Sequence, residues 1–136
     1  QQEAKALGIA EMVLFCGNVN RPEDYLQAMD VFVMTSLFEG LPIVGVEAQA
    51  SGLPCIFADT ITQEVKILPQ TQFLALTQPD EAWAERIVQT KPMERSLAGH
   101  CVESAGFAEE NLDRQVCALY GMEEHHFANI SGRDHL

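Results

Sequence analysis

Apolar residues in this chain gather into short unbroken runs, separated by stretches in which apolar positions recur every three or four residues. Met12-Val-Leu-Phe-Cys16, Val31-Phe-Val-Met-Thr35 and Pro54-Cys-Ile-Phe-Ala58 are continuous runs, and Phe73-Leu-Ala-Leu-Thr77 is a shorter one. Runs of this length, apolar on both faces, are what strands of a covered parallel sheet look like. The intervening stretches predict helices. Glu3 to Leu7 is stopped by Gly8, Pro22 to about Met29 begins with a proline suited to a first turn, and Pro42 to Ala50 is closed by Gly52. Pro79 to Gln89 carries Trp83, Ile87 and Val88 at helical spacing, and Met93 to Ser104 and Glu109 to Tyr120 are two further amphipathic helices, broken near Gly106 and stopped by Gly121. Met122 to Leu136 has no periodic apolar pattern and is expected to be frayed or disordered. Helix and strand alternate, so the expectation is an α/β fold with a doubly wound parallel sheet over residues 1–121 and helices at its C-terminal end.

At 136 residues and 47% hydrophobic, the chain can bury one core but not two. Twenty acidic against eight basic residues give a net charge of −12, without a basic patch, which disfavours nucleic acid as a partner and direct adhesion to anionic lipid. Cys16, Cys55, Cys101 and Cys117 are widely spaced among apolar residues, unlike a zinc site or redox dithiol, and are expected to be free thiols. No run approaches the roughly 20 apolar residues of a membrane span, and the opening residues resemble neither a signal nor a transit peptide. A cytoplasmic protein is expected, with a peripheral position at the inner face of the membrane left open.

Chemistry concentrates in Glu39-Gly-Leu-Pro-Ile-Val-Gly-Val-Glu47. Glu39 falls in the loop at the carboxyl end of the strand Val31 to Thr35, the end at which open α/β sheets bind ligands. The helix opened by Pro42 directs its first N–H groups and its dipole at any anion placed there. Glu47, about one and a half turns along, leans back towards the same cleft. Two carboxylates repel phosphate but accept hydrogen bonds from hydroxyls, so the pair suits a phosphate with sugars on either side, a nucleotide sugar. Two glutamates eight residues apart are by themselves a common solvated pattern; their setting of strand, Gly-Leu-Pro loop and small-residue helix favours the site.

Phe15-Cys-Gly17, Asp30-Val-Phe-Val-Met-Thr-Ser36, Glu39-Gly-Leu-Pro42, Glu47-Ala48 and Ala50-Ser-Gly52-Leu-Pro54, in that order and spacing, resemble the donor half of glycosyltransferase family 4, the group 1 transferases of GT-B fold. The wording Glu47-Ala-Gln-Ala-Ser-Gly-Leu-Pro54, with Asp59 and Glu64, is closest to bacterial exopolysaccharide and capsule transferases. The resemblance implies retaining, metal-independent glycosyl transfer of hexosyl type from a nucleotide-diphosphate sugar to a glycan or lipid-linked acceptor, with no other cofactor. It places Glu39 on the donor-sugar hydroxyls in a positioning and electrostatic role, Glu47 on the ribose, and Gly40, Leu41 and Pro42 beside the diphosphate. Arg21, in the loop Asn18 to Arg21, could approach the base, though a solvated loop residue is the plainer reading. The absence of an Asp-x-Asp motif agrees with a metal-independent reaction.

The family's two earlier strands, its Gly-containing loop and the Arg/Lys pair that holds the donor phosphates have no counterpart here. In strand order 3-2-1-4-5-6, Met12 to Cys16 corresponds to strand 3 and Val31 to Thr35 to strand 4, with the missing pair between them. The chain is therefore expected to be a partial Rossmann-like domain, inactive alone, whose strand edges are rearranged, covered or paired, self-association included. A non-catalytic nucleotide-sugar-binding module or an inactive structural fragment is the alternative. His125 and His126 are adjacent and so poorly spaced for a metal, Asn129-Ile-Ser131 is only a short match to a glycosylation acceptor, and Trp83 reads as core.

Overall fold

The computed structural model describes residues 1–91 and 94–107. Helices α1 (Gln2–Ala6) and α2 (Pro22–Ala28) precede strand β1 (Phe32–Met34), helix α3 (Ile43–Ala50) and strand β2 (Cys55–Ala58). Strand β3 (Gln72–Leu74), helix α4 (Asp80–Gln89) and helix α5 (Arg95–Val102) follow. The strands form a parallel sheet in the order β1-β2-β3, with Phe32 opposite Cys55, Met34 opposite Phe57 and Phe57 opposite Phe73. This is the α/β, Rossmann-like partial sheet expected from the alternation of runs.

Central β2 is buried at every position, as its uninterrupted apolar run requires. Register and the two-residue period put Phe32, Met34, Phe57 and Phe73 on the face that meets α3. The Phe57 ring lies 6.1 Å from Phe32 and 5.8 Å from Phe73, centroid to centroid. Helix α3 approaches this layer closely because position 45 is glycine: a Cβ there would lie 2.9 Å from two carbons of the Phe57 ring and 3.1 Å from Val65 Cγ2. The helix ends as Gly52 predicts. Gly52 takes φ +75°, Gly52 N donates to Gln49 O at 2.9 Å and Leu53 N to Ala48 O at 3.0 Å, a Schellman ending that turns the chain into β2. Arg95 at the start of α5 reaches across to the end of α2, donating from Nη1 to Gln27 O and from Nη2 to Met29 O, where a cation also complements the helix dipole.

The segment Met12 to Cys16 departs from expectation. A 3₁₀ turn (Ala10–Met12) leads into chain that joins no sheet, and Met12, Leu14 and Phe15 are 85%, 81% and 52% exposed. A strand is held by its ladder, and among the described residues no strand lies alongside this segment. Strand β1 lies at an edge of the sheet, with Val33 at 38% exposure on the face away from α3. There Val33 and Thr35 border an open cavity of about 530 Å³, shared with Leu76, Gln78 and the α4 residues Asp80, Trp83, Ala84 and Ile87. Trp83 is a core residue, as expected. The run Phe73 to Thr77 shortens to Gln72–Leu74, and α5 gives way to a wide turn (Glu103–Phe107) where Gly106 has φ 94°. Glu109 to Tyr120, the tail from Met122, Cys117, His125, His126 and Asn129 lie outside the described residues. The described cysteines, Cys16, Cys55 and Cys101, are free.

Candidate functional site

Beyond β1 the chain runs out at the carboxyl end of the sheet and bends through residues 36–41 into α3. Glu39 is fastened here by backbone and side chain together. It forms an isolated parallel bridge with Ile61, in the loop that leaves β2, and its Oε1 accepts from Ser36 Oγ at 3.2 Å. Thr60 Oγ1 in turn donates to Ser36 O at 2.7 Å, so the loops after β1 and β2 are laced to each other. Glu39 is half-buried, which leaves part of its carboxylate open to a ligand.

Gly40 is exposed and a Cβ there would meet nothing within 4 Å, so the loop surface beside Glu39 is clear. Leu41 is 37% exposed, and buried Pro42 stands at the N-cap of α3 rather than in its first turn. The first intrahelical bonds run from Gly45 N and Val46 N to Pro42 O, so the N–H groups of Ile43 and Val44 precede the hydrogen-bonded ladder. No acidic side chain occupies the first turn of α3 and no side chain caps it. The positive end of this helix therefore lies uncompensated in the segment that follows Glu39.

Glu47 faces another neighbour. It is exposed on α3 and borders a cavity of about 230 Å³ with Ala50, Ser51 and the α2 residues Pro22, Glu23 and Leu26. Glu39 is thus tied to the β2 loop and Glu47 looks towards the start of α2. Arg21 precedes Pro22 but does not line that cavity, and its guanidinium is spent locally, on Glu23 Oε1 and Asp24 Oδ1 at 3.1 Å each, with the Arg21 side chain 69% exposed. A backbone hydrogen bond and Arg21 together hold the Glu23 carboxyl below its ordinary pKa. Pro22, read from the sequence only as a helix start, and Ser51, read only as part of a family motif, become candidates by lining the cavity with Glu47. Among the described residues no group of three or more His, Cys, Asp and Glu is placed to hold a metal ion, and no helix is long and apolar enough to cross a membrane.

Glu39 and the uncapped N-terminus of α3 thus lie together at the carboxyl edge of a parallel sheet, the edge at which open α/β sheets bind ligands. Residues 1–90 match the family model described as glycosyl transferases group 1, and the chain belongs to that family. It is 47% identical over 90 residues to a Bacillus subtilis (strain 168) protein named as glycosyltransferase EpsF, an alignment covering 65% of this chain and 23% of the relative. It is 36% identical over 120 residues to the Vi polysaccharide biosynthesis protein VipC/TviE of Salmonella typhi, covering 82% and 20%. Over 53 residues it is 42% identical to the Escherichia coli UDP-Gal:alpha-D-GlcNAc-diphosphoundecaprenol alpha-1,3-galactosyltransferase, covering 39% and 14%. The chain thus spans no more than about a quarter of the length of these relatives. No solved structure matches it significantly.

Proposed function

We propose that this chain forms one wall of the donor site of a retaining, metal-independent glycosyltransferase, which moves a hexosyl group from a nucleotide-diphosphate sugar to a glycan or lipid-linked acceptor in bacterial polysaccharide assembly. The observation that carries the reading is Glu39, held by Ile61 and Ser36 at the carboxyl edge of the sheet, with the uncapped N-terminus of α3 following in the same loop. In this role Glu39 accepts hydrogen bonds from donor-sugar hydroxyls, and the backbone of Gly40, Leu41 and Pro42 closes around the diphosphate. The N-terminus of α3 stabilises negative charge as the diphosphate leaves, a task fixed protein dipoles can perform without a metal. Glu47, open to the cavity beside α2, holds the ribose.

Support for polysaccharide assembly comes from the Salmonella typhi relative, named for Vi polysaccharide biosynthesis, and support for a hexosyl donor and a lipid-linked acceptor from the Escherichia coli galactosyltransferase. The test is to incubate the intact protein with a panel of UDP-, GDP- and ADP-sugars and membrane-extracted acceptors. Transfer with retained anomeric configuration by NMR, undiminished by chelator, is expected. Inversion, or loss of activity on chelation restored by a divalent ion, would remove the mechanism. The alternative outcome is a nucleotide-sugar-binding module without turnover. Donor binding by calorimetry without transfer under any acceptor condition would select it.

A further inference from the structure

Gln49 is the most completely hydrogen-bonded side chain of the described residues, and its position has no evident use on a helix surface. It is fully buried on α3, one turn after Gly45. Its Nε2 donates to Gly45 O at 3.0 Å and to Val65 O at 2.7 Å, using both amide hydrogens. Its Oε1 accepts from Ile67 N and Leu68 N at 2.9 Å each and from Thr71 Oγ1 at 2.8 Å. One amide thereby fixes four residues of the segment between β2 and β3. An apolar side chain of the same size would fill the space but leave those buried groups unpaired.

That segment also touches the Glu39 loop. Ile61 bridges Glu39, and Thr60 binds Ser36 O. Between Thr60 and Val65 a 3₁₀ turn (Gln63–Val65), capped by the Thr62 hydroxyl accepting from Glu64 N, makes a short stiff link. The contacts close a ring: from α3 through Gln49 to 65–71, back along the chain to Thr60 and Ile61, across to Ser36 and Glu39, and through Pro42 into α3 again. We propose that Gln49 is a positioning residue that sets the place of Glu39 relative to the N-terminus of α3 through this ring; the inference rests on the donor-site reading. Gln49 touches no substrate. It acts by removing the freedom of the loop that presents the carboxylate.

Two variants test this. Gln49→Met keeps the volume and loses all five bonds, and Thr71→Val removes one of them. NMR backbone order parameters at residues 36–41 should fall from the rigid value of about 0.85 to below about 0.6 in Gln49→Met, and by less in Thr71→Val, while those of β2 hold. In the intact protein, assayed with the best donor of the nucleotide-sugar panel, Gln49→Met should lower kcat by about tenfold, and by less than about twofold when Glu39→Gln is already present. Should Gln49→Met fail to fold, Thr71→Val carries both measurements, with proportionately smaller changes. Order parameters at 36–41 unchanged relative to β2, or the full loss of kcat repeated in the Glu39→Gln background, overturns the inference while leaving the donor site standing. Normal turnover in Glu39→Gln alone overturns the donor-site reading itself, before Gln49 enters.

Discussion

Helix α3 carries Glu47 and receives the Glu39 loop, so its distance from the sheet matters, and Gly45 sets that distance. Alanine at this position would place its Cβ 2.9 Å from Phe57 Cε1 and Cζ and 3.1 Å from Val65 Cγ2. Neither neighbour can yield easily. Phe57 and Val65 are fully buried, and the Phe57 ring is bracketed by Phe32 and Phe73. Overpacking of this kind costs about 1–3 kcal/mol. Against it, alanine gains about 1 kcal/mol in helix propensity over glycine. Because two buried neighbours are struck at once, the upper half of the overpacking range applies, about 2–3 kcal/mol, and the net expectation is a loss of about 1–2 kcal/mol, a fall in melting temperature of several degrees for a domain of this size. Gly99 on α5 is the control, because a Cβ there meets nothing within 4 Å and Gly99→Ala retains only the propensity gain. Urea unfolding followed through Trp83, the chain's single tryptophan, reads both. The Gly45→Ala midpoint should move down and the Gly99→Ala midpoint up. A Gly45→Ala protein as stable as wild type would show that α3 does not pack against the sheet at this distance.

Burial pushes the Cys55 thiol from its ordinary value of 9.0 up to about 12. The folded state therefore keeps a proton that the unfolded state releases, and the stability this supplies is whole below about pH 9 and lost as pH rises towards about 12. Urea midpoints should fall across that window, less steeply in Cys55→Ala, and a thiol reagent at pH 8 should label exposed Cys16 while sparing Cys55 until the chain unfolds. Arg95→Ala removes bonds to Gln27 O, Gln27 Oε1 and Met29 O and should lower stability by about 1 kcal/mol, with Arg95→Lys recovering only part because it lacks the planar fork. Arg21→Ala should leave the donor KM unchanged, since the guanidinium is engaged with Glu23 and Asp24; a raised KM would restore a base contact.

Strands β1 and β2 were legible because each is an unbroken apolar run in a parallel sheet, although only β2 is covered on both faces, and the end of α3 was legible because Gly52 supplies the positive φ its closure needs. Met12 to Cys16 misled for a related reason: an apolar run records that a segment is made for burial, not that its ladder partners are present. Glu39 could be placed from the loop and strand alone. The β2 loop that holds it could not, because a bridge to Ile61 joins residues 22 apart with no shared pattern. Gln49 went unread because a glutamine in a helix suggests solvent. The signal was its spacing: it follows Gly45 by four, on the stripe that meets the sheet and the 65–71 segment. Arg21 was visible as a cation in a ligand-facing loop, but its pairing with carboxylates two and three residues ahead belongs to the geometry of the first turn of α2.

The central claim is that Glu39 stands against the donor sugar, and the most direct measurement is kcat and donor KM of the intact protein carrying Glu39→Gln, beside Glu47→Gln. The substitution preserves size and leaves the backbone bridge to Ile61 in place. Loss of a preorganised electrostatic contact of this kind lowers kcat by about 10²–10³. The account predicts that fall for Glu39→Gln, with circular dichroism unchanged, and for Glu47→Gln a raised donor KM with kcat much less affected. Wild-type kcat in a correctly folded Glu39→Gln protein would contradict it.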